Sequence, residues 1–70
     1  MRSSSQPQRQ RFLVEVEFFS GDVAFGQECY LIDATTWYAA EQQALQMSVA
    51  SIYDNARIPD LRRQATARPQ

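Results

Sequence analysis

The run Phe12-Leu13-Val14-Glu15-Val16-Glu17-Phe18-Phe19 constrains this chain more than any other stretch of it. Phe12, Val14, Val16 and Phe18 fall on one side of an extended chain, and Leu13, Glu15, Glu17 and Phe19 on the other. Alternation at period two, in β-branched and aromatic residues, specifies a strand with one face on a core. The fold must therefore contain a sheet with one covered face, and the rest of the chain must supply the cover.

Ser20-Gly21-Asp22 carries turn chemistry, so a second strand within Val23 to Ala34 should fold back antiparallel on the first. Gly26 suits a bulge or a loop. Two registers are open. A two-residue turn at Gly21-Asp22 puts Phe25, Cys29 and Leu31 on the core face. A slip of one residue, or a bulge at Gly26, puts Tyr30, Ile32 and Ala34 there instead. The second is preferred because Glu28 then shares an edge and Asp33 is not buried.

Thr35 or Thr36 is the expected N-cap of a helix, since a threonine hydroxyl accepts from the free N–H groups of a first turn. From Trp37 to Tyr53, about four and a half turns, the residues Trp37, Ala40, Ala44, Leu45, Met47 and Ser48 fall on one arc, joined by Val49 and Ile52. Glu41 also lies on this arc, where a place at the periphery near the positive end of the helix dipole would suit it. Asp54-Asn55 suits a helix stop. In the remainder, Ile58 and Leu61 are the large apolar anchors, and Pro59 allows an edge strand but not a central one. A short third strand within Leu61–Ala67 competes with a frayed tail.

The predicted fold class is α+β: an antiparallel β-hairpin packed by one α-helix, with or without a C-terminal third edge strand (ββαβ). Residues 1–10, rich in Ser, Gln and Arg, read as a disordered basic arm, 11–56 as the ββα domain and 57–70 as an Arg-rich edge strand or tail. Seventy residues give a small core, so a partner or a homodimer would add needed stability.

Charge is segregated along this order. Residues 1–11 carry Arg2, Arg9 and Arg11 with no acid, a local +3. Residues 12–56 carry seven acids and no cation, and residues 57–70 return to +3 with Arg57, Arg62, Arg63 and Arg68 against Asp60. The net charge of −1 conceals an acidic body between two basic ends.

The chain has no His and no Lys, which leaves Cys29 and the hydroxyls without a base and predicts no enzyme activity. Glu15 and Glu17 lie two apart on one strand face, roughly 6–7 Å along the strand, a spacing that suits paired carboxylates but reads first as a solvated face. No ligand set for a metal is visible and no cofactor is expected. The single Cys cannot form an internal bridge and reads as a core residue. With no apolar leader and no apolar run near the ~18–20 residues of a membrane helix, a cytoplasmic location and no membrane partner are expected.

Two binding readings remain. Glu15 and Glu17, with Glu28 if it faces the same side, would form a negative stripe beside apolar Leu13 and Phe19, suited to a basic protein partner. Alternatively Arg9, Arg11 and Arg68 would hold the phosphates of a single-stranded nucleic acid while Tyr30, Phe19 or Phe25 stack on its bases.

Several residues carry a resemblance. An aromatic-led strand Arg11–Glu17, the helix entry Ile32-Asp33-Ala34-Thr35-Thr36, the pair Ala44-Leu45 and a tail Leu61-Arg62-Arg63 ending in Pro69 together resemble the small host RNA polymerase inhibitor of T-odd podoviruses, over residues 11–68. Tyr30-Leu31-Ile32-Asp33-Ala34 with its threonine cap also looks like other small phage-associated proteins of this layout. The resemblance implies a helix on a three-stranded antiparallel sheet and a host protein as partner. It implies that Arg62 and Arg63, with Arg57 nearby, and acidic Glu15, Glu17 and Glu28 grip the polymerase and modulate or inhibit it in the host cytoplasm. Two features depart from the family: this helix carries only Glu41 and Asp54 where the family's is strongly acidic, and Pro59 interrupts the approach to the third strand.

Overall fold

The structure, a computed structural model, describes residues 8–70. Three strands and a helix follow in the order β1 (Gln10–Ser20), β2 (Val23–Ala34), α1 (Trp37–Met47) and β3 (Leu61–Pro69), with a 3₁₀ turn at Ser48–Ala50 after the helix. The strands form one antiparallel sheet in the order β2-β1-β3. The fold is the expected ββαβ arrangement, with β3 a full edge strand of nine residues. Most of the expected arm, residues 1–7, lies outside the described residues, and β1 already begins at Gln10.

β1 is the central strand, and its alternation decides the layering. Phe12, Val14, Val16 and Phe18 are buried beneath α1, joined by Ile32 and Ala34 of β2 and by Ala40 and Ala44 of the helix. The opposite side chains, Leu13, Glu15, Glu17 and Phe19, face away from the helix. Among the described residues only one face of the sheet is covered.

The hairpin closes through Gly21 at φ +60°, with no positive φ at Asp22, the pattern of a type II′ turn. A bulge separates the pairs Phe18–Gly26 and Phe19–Ala24, leaving Phe25 as the extra residue. The bulge thus sits one position before Gly26, and it sets the favoured register, with Ile32 and Ala34 buried and Tyr30 partly so. Gly26 serves another end. A Cβ there would lie 2.5 Å from Cδ1 of Tyr53, so only a hydrogen fits under that ring.

Thr36 caps α1 in extended geometry (φ −138°, ψ 158°), its Oγ1 accepting from Ala39 N at 3.1 Å. The helix is shorter than the periodicity predicts, ending at Met47 and not at Tyr53. Ser48 is fully buried and its hydroxyl donates to the Leu45 carbonyl at 2.7 Å, and the Ser51 hydroxyl accepts from Tyr53 N at 3.1 Å. Such side-chain bonds compete with helix propagation. The break swings Tyr53 onto Phe18 and Phe25, with ring centroids 5.4 and 6.0 Å away. As a result the predicted apolar arc is only half used. Ala40, Ala44 and Ser48 are buried, whereas Trp37, Met47, Val49 and Ile52 are exposed, Ile52 by 84%.

Three further hydrogen bonds hold β3 and its approach. Glu41, expected to rest at the periphery, points onto the outer edge of β3, where Oε2 accepts from Ala67 N at 2.9 Å. At the other end the Pro59 carbonyl accepts from Ser20 Oγ at 2.8 Å and the Asp60 carbonyl from Gly21 N at 3.0 Å. Asp60 turns the chain into the strand with φ 52°, a left-handed conformation that Asp tolerates better than most residues.

Candidate functional site: the open face of the sheet

Directly paired residues in a sheet project to the same side, so the register assigns every side chain of the uncovered face. Leu31, Leu13 and Arg68 form one row across the three strands, followed by Cys29, Glu15 and Thr66, and then by Gln27, Glu17 and Gln64. Beyond the bulge, Ala24, Phe19 and Arg62 make the last row. The centre of this face is acidic, and Leu13, Leu31 and Phe19 bracket it with apolar surface.

The same register separates residues that the sequence groups together. Glu28 pairs with Val16 and so lies on the helix side, where its Oε1 accepts from Tyr30 Oη at 2.9 Å. It does not join the stripe of Glu15 and Glu17. Tyr30 lies on the helix side as well, partly buried, so it is no stacking partner for Phe19. Burial first, then the bond and charge of Glu28, raise the Tyr30 pKa above the ordinary tyrosine value. Phe25, though 38% exposed, packs against Phe18 and Tyr53 and does not lie alongside Phe19. Cys29, read from the sequence as core, is an exposed thiol on the open face beside Glu15.

Arg62 and Arg63 also part company, as neighbours on a strand must. Arg62 lies on the open face beside Phe19, where its Nη2 donates to the Gly21 carbonyl at 3.0 Å and reaches Asp22 at 3.4 Å and Asp60 at 3.8 Å. Phe19, Gly21, Asp22 and Arg62 help to line an open groove of about 350 Å³ at the hairpin end. Arg63 turns inward. It meets Asp54 at 3.6 Å, with side chains only 25% and 22% exposed, and donates to the Ser48 hydroxyl at 3.2 Å. Its work is to tie β3 to the turn after the helix. Arg57 is exposed in the loop before β3, Arg9 is exposed just ahead of β1, and Arg68 is exposed on β3.

The basic ends therefore fold back on the acidic body. Arg11 pairs with Asp33 at 3.2 Å, Arg62 with Asp22 and Asp60, and Arg63 with Asp54. Among the described residues, Glu15 and Glu17 have no cation within 4.0 Å, and Glu15 accepts only from Gln27 Nε2 at 2.6 Å. Both are partly buried in the middle of the central strand. Among the same residues no group of three His, Cys, Asp or Glu stands ready for a metal ion, and no helix is long and apolar enough to cross a membrane. What the face offers chemically is two unneutralised carboxylates in an apolar frame, with arginines at its margins.

Comparison with protein-family models, with curated proteins and with solved structures returns no significant match for the chain.

Proposed function

We propose that this protein is a non-enzymatic docking module whose open sheet face binds a basic surface on another protein and changes that protein's activity. The observation that carries the reading is the pair Glu15 and Glu17, side by side on the open face with no arginine within 4.0 Å among the described residues. Asp22, Asp33 and Asp54 pair with arginines, and the other two glutamates of the body, Glu28 and Glu41, which also lack an arginine, are engaged by Tyr30 Oη and Ala67 N. Carboxylates framed by Leu13, Leu31 and Phe19 suit an interface, since a Lys or Arg entering between apolar residues meets its counter-charge out of reach of much of the water. Arg62 at the margin adds a donor for a partner carboxylate.

The resemblance to phage polymerase inhibitors makes a bacterial host RNA polymerase the first partner to try. Its test is titration of purified core polymerase with the chain, followed by transcription assays. Binding that weakens with salt, and about tenfold or more in Glu15→Gln/Glu17→Gln, is the expected result. Absence of binding removes the polymerase reading, and binding indifferent to both substitutions removes the face.

Single-stranded nucleic acid is the weaker reading. Its stacking residues are divided between two sides of the sheet, and the face that carries Phe19 presents carboxylates where phosphates would run.

A further inference from the structure

The two edges of the sheet are treated differently by the sequence. β3 carries Arg62, Arg63 and Arg68, ends in Pro69, and has an outward N–H, that of Ala67, capped by the Glu41 carboxylate. These are the means by which an edge is kept from pairing with another chain. β2 lacks the arginines, the proline and the capped amide, and its bulge at Phe25 lies towards the hairpin, clear of Gln27, Cys29 and Leu31. Its 12 residues contain no proline and no cation, and Val23 and Leu31 are 66% and 55% exposed.

The hydrogen-bond phase identifies what that edge presents. Gln70 N donates to the Arg11 carbonyl, so Arg11 and every second residue after it, Leu13, Glu15 and Glu17, direct their backbone groups to β3. Phe12, Val14 and Val16 then bond to β2, which turns the N–H and C=O groups of Ile32, Tyr30 and Glu28 inward. Those of Gln27, Cys29 and Leu31 point outward, with no strand against them among the described residues.

We propose that this edge pairs antiparallel with β2 of a second copy about a two-fold axis at Cys29, making one continuous six-stranded sheet. The choice of axis follows from the strand. An axis at Glu28 would set the two Glu28 carboxylates face to face, which is destabilising. Axes at Gln27, Tyr30 or Leu31 shorten the overlap within Val23–Ala34. An axis at Cys29 uses nearly the whole strand and opposes no acid to an acid. Gln27 then lies opposite the partner's Leu31, Cys29 opposite the partner's Cys29, and Glu28 opposite the partner's Tyr30. The three outward-facing pairs centred on Cys29 exchange about six main-chain hydrogen bonds. The buried apolar core of one copy holds eight residues, three of them alanine, so a longer sheet is a material gain. This pairing goes beyond the docking reading and leaves Glu15 and Glu17 on the open face.

The test is sedimentation equilibrium of the full chain in reductant at roughly 100 μM, above the micromolar Kd expected of an interface at the small end of the range. A dimer is expected, and a short bismaleimide should join it through Cys29. Gln27→Lys/Leu31→Lys, both exposed positions, places like charges opposite each other twice and should raise the dimer Kd at least tenfold with an unchanged circular dichroism spectrum. Gln27→Lys/Leu31→Glu places opposite charges there and should restore it. A monomer at this concentration overturns the proposal. So does a dimer that resists cross-linking at Cys29, or one that ignores the double-lysine change.

Discussion

Substituting Gly26 by alanine should change sign with the identity of residue 53. In the native chain an alanine Cβ would sit 2.5 Å from Tyr53 Cδ1 and 2.7 Å from Cε1 and Cγ. Carbon atoms in contact need about 3.5–4.0 Å, so the ring must withdraw by about 1 Å. No part of it can swing clear alone, because the clash runs along one whole edge. Withdrawal loosens the pairs with Phe18 at 5.4 Å and Phe25 at 6.0 Å, each worth roughly 0.5–1.5 kcal/mol. Against this, alanine in a strand gains roughly 0.5–1 kcal/mol over glycine. The single change Gly26→Ala should therefore cost about 0.5–2 kcal/mol. In a Tyr53→Ala background the obstacle is gone, and the same substitution should stabilise by roughly 0.5–1 kcal/mol. Urea unfolding followed by far-ultraviolet circular dichroism measures all four corners of the cycle. Additive effects, or a neutral Gly26→Ala in the native chain, would refute the idea that Gly26 exists to seat Tyr53.

Arg63→Ala should cost about 1–3 kcal/mol by leaving partly buried Asp54 and the buried Ser48 hydroxyl without their donor, whereas Arg62→Ala should cost at most about 1 kcal/mol because its ion pairs are exposed; denaturant midpoints compare the two. Glu41→Ala should speed hydrogen exchange at the Ala67 amide, whose acceptor it removes, and Glu41→Gln should keep most of the protection; equal rates in both variants would show that the contact does not hold β3. Because the Tyr30 pKa is raised in the folded protein, the native state keeps a proton the unfolded chain gives up. That stabilisation is complete below the unfolded tyrosine pKa of ~10 and is lost as pH rises through the folded value, so stability should fall less steeply in strong alkali for Tyr30→Phe than for the native chain.

How much of this was legible in the sequence varied with the physics involved. The alternation of Phe12 to Phe19 specified the central strand and both its faces, since period two admits one geometry. A threonine cap at Thr35 or Thr36 followed from local hydrogen bonding alone, and the structure selects Thr36. The helix end did not, because Ser48 and Ser51 act through bonds that a periodicity count ignores. The roles of Arg62 and Arg63 depended on strand phase, which adjacency in sequence conceals until β3 is known to pair with β1. The charge pattern was correct as a count and misleading as a picture of arms, because Arg11, Arg62 and Arg63 return to neutralise the body. Among the described residues this return leaves Glu15, Glu17, Glu28 and Glu41 without an arginine, and the first two of them lie in the stripe that the first strand had already indicated.

The most direct test of the docking claim compares the native chain with Glu15→Arg/Glu17→Arg, each titrated against core RNA polymerase and against a single-stranded oligonucleotide at one ionic strength. The account predicts that the native chain binds the polymerase and leaves the oligonucleotide free, and that charge reversal abolishes the first and promotes the second. A native chain that holds the oligonucleotide with micromolar affinity, or a reversed one that binds the polymerase undiminished, would contradict it.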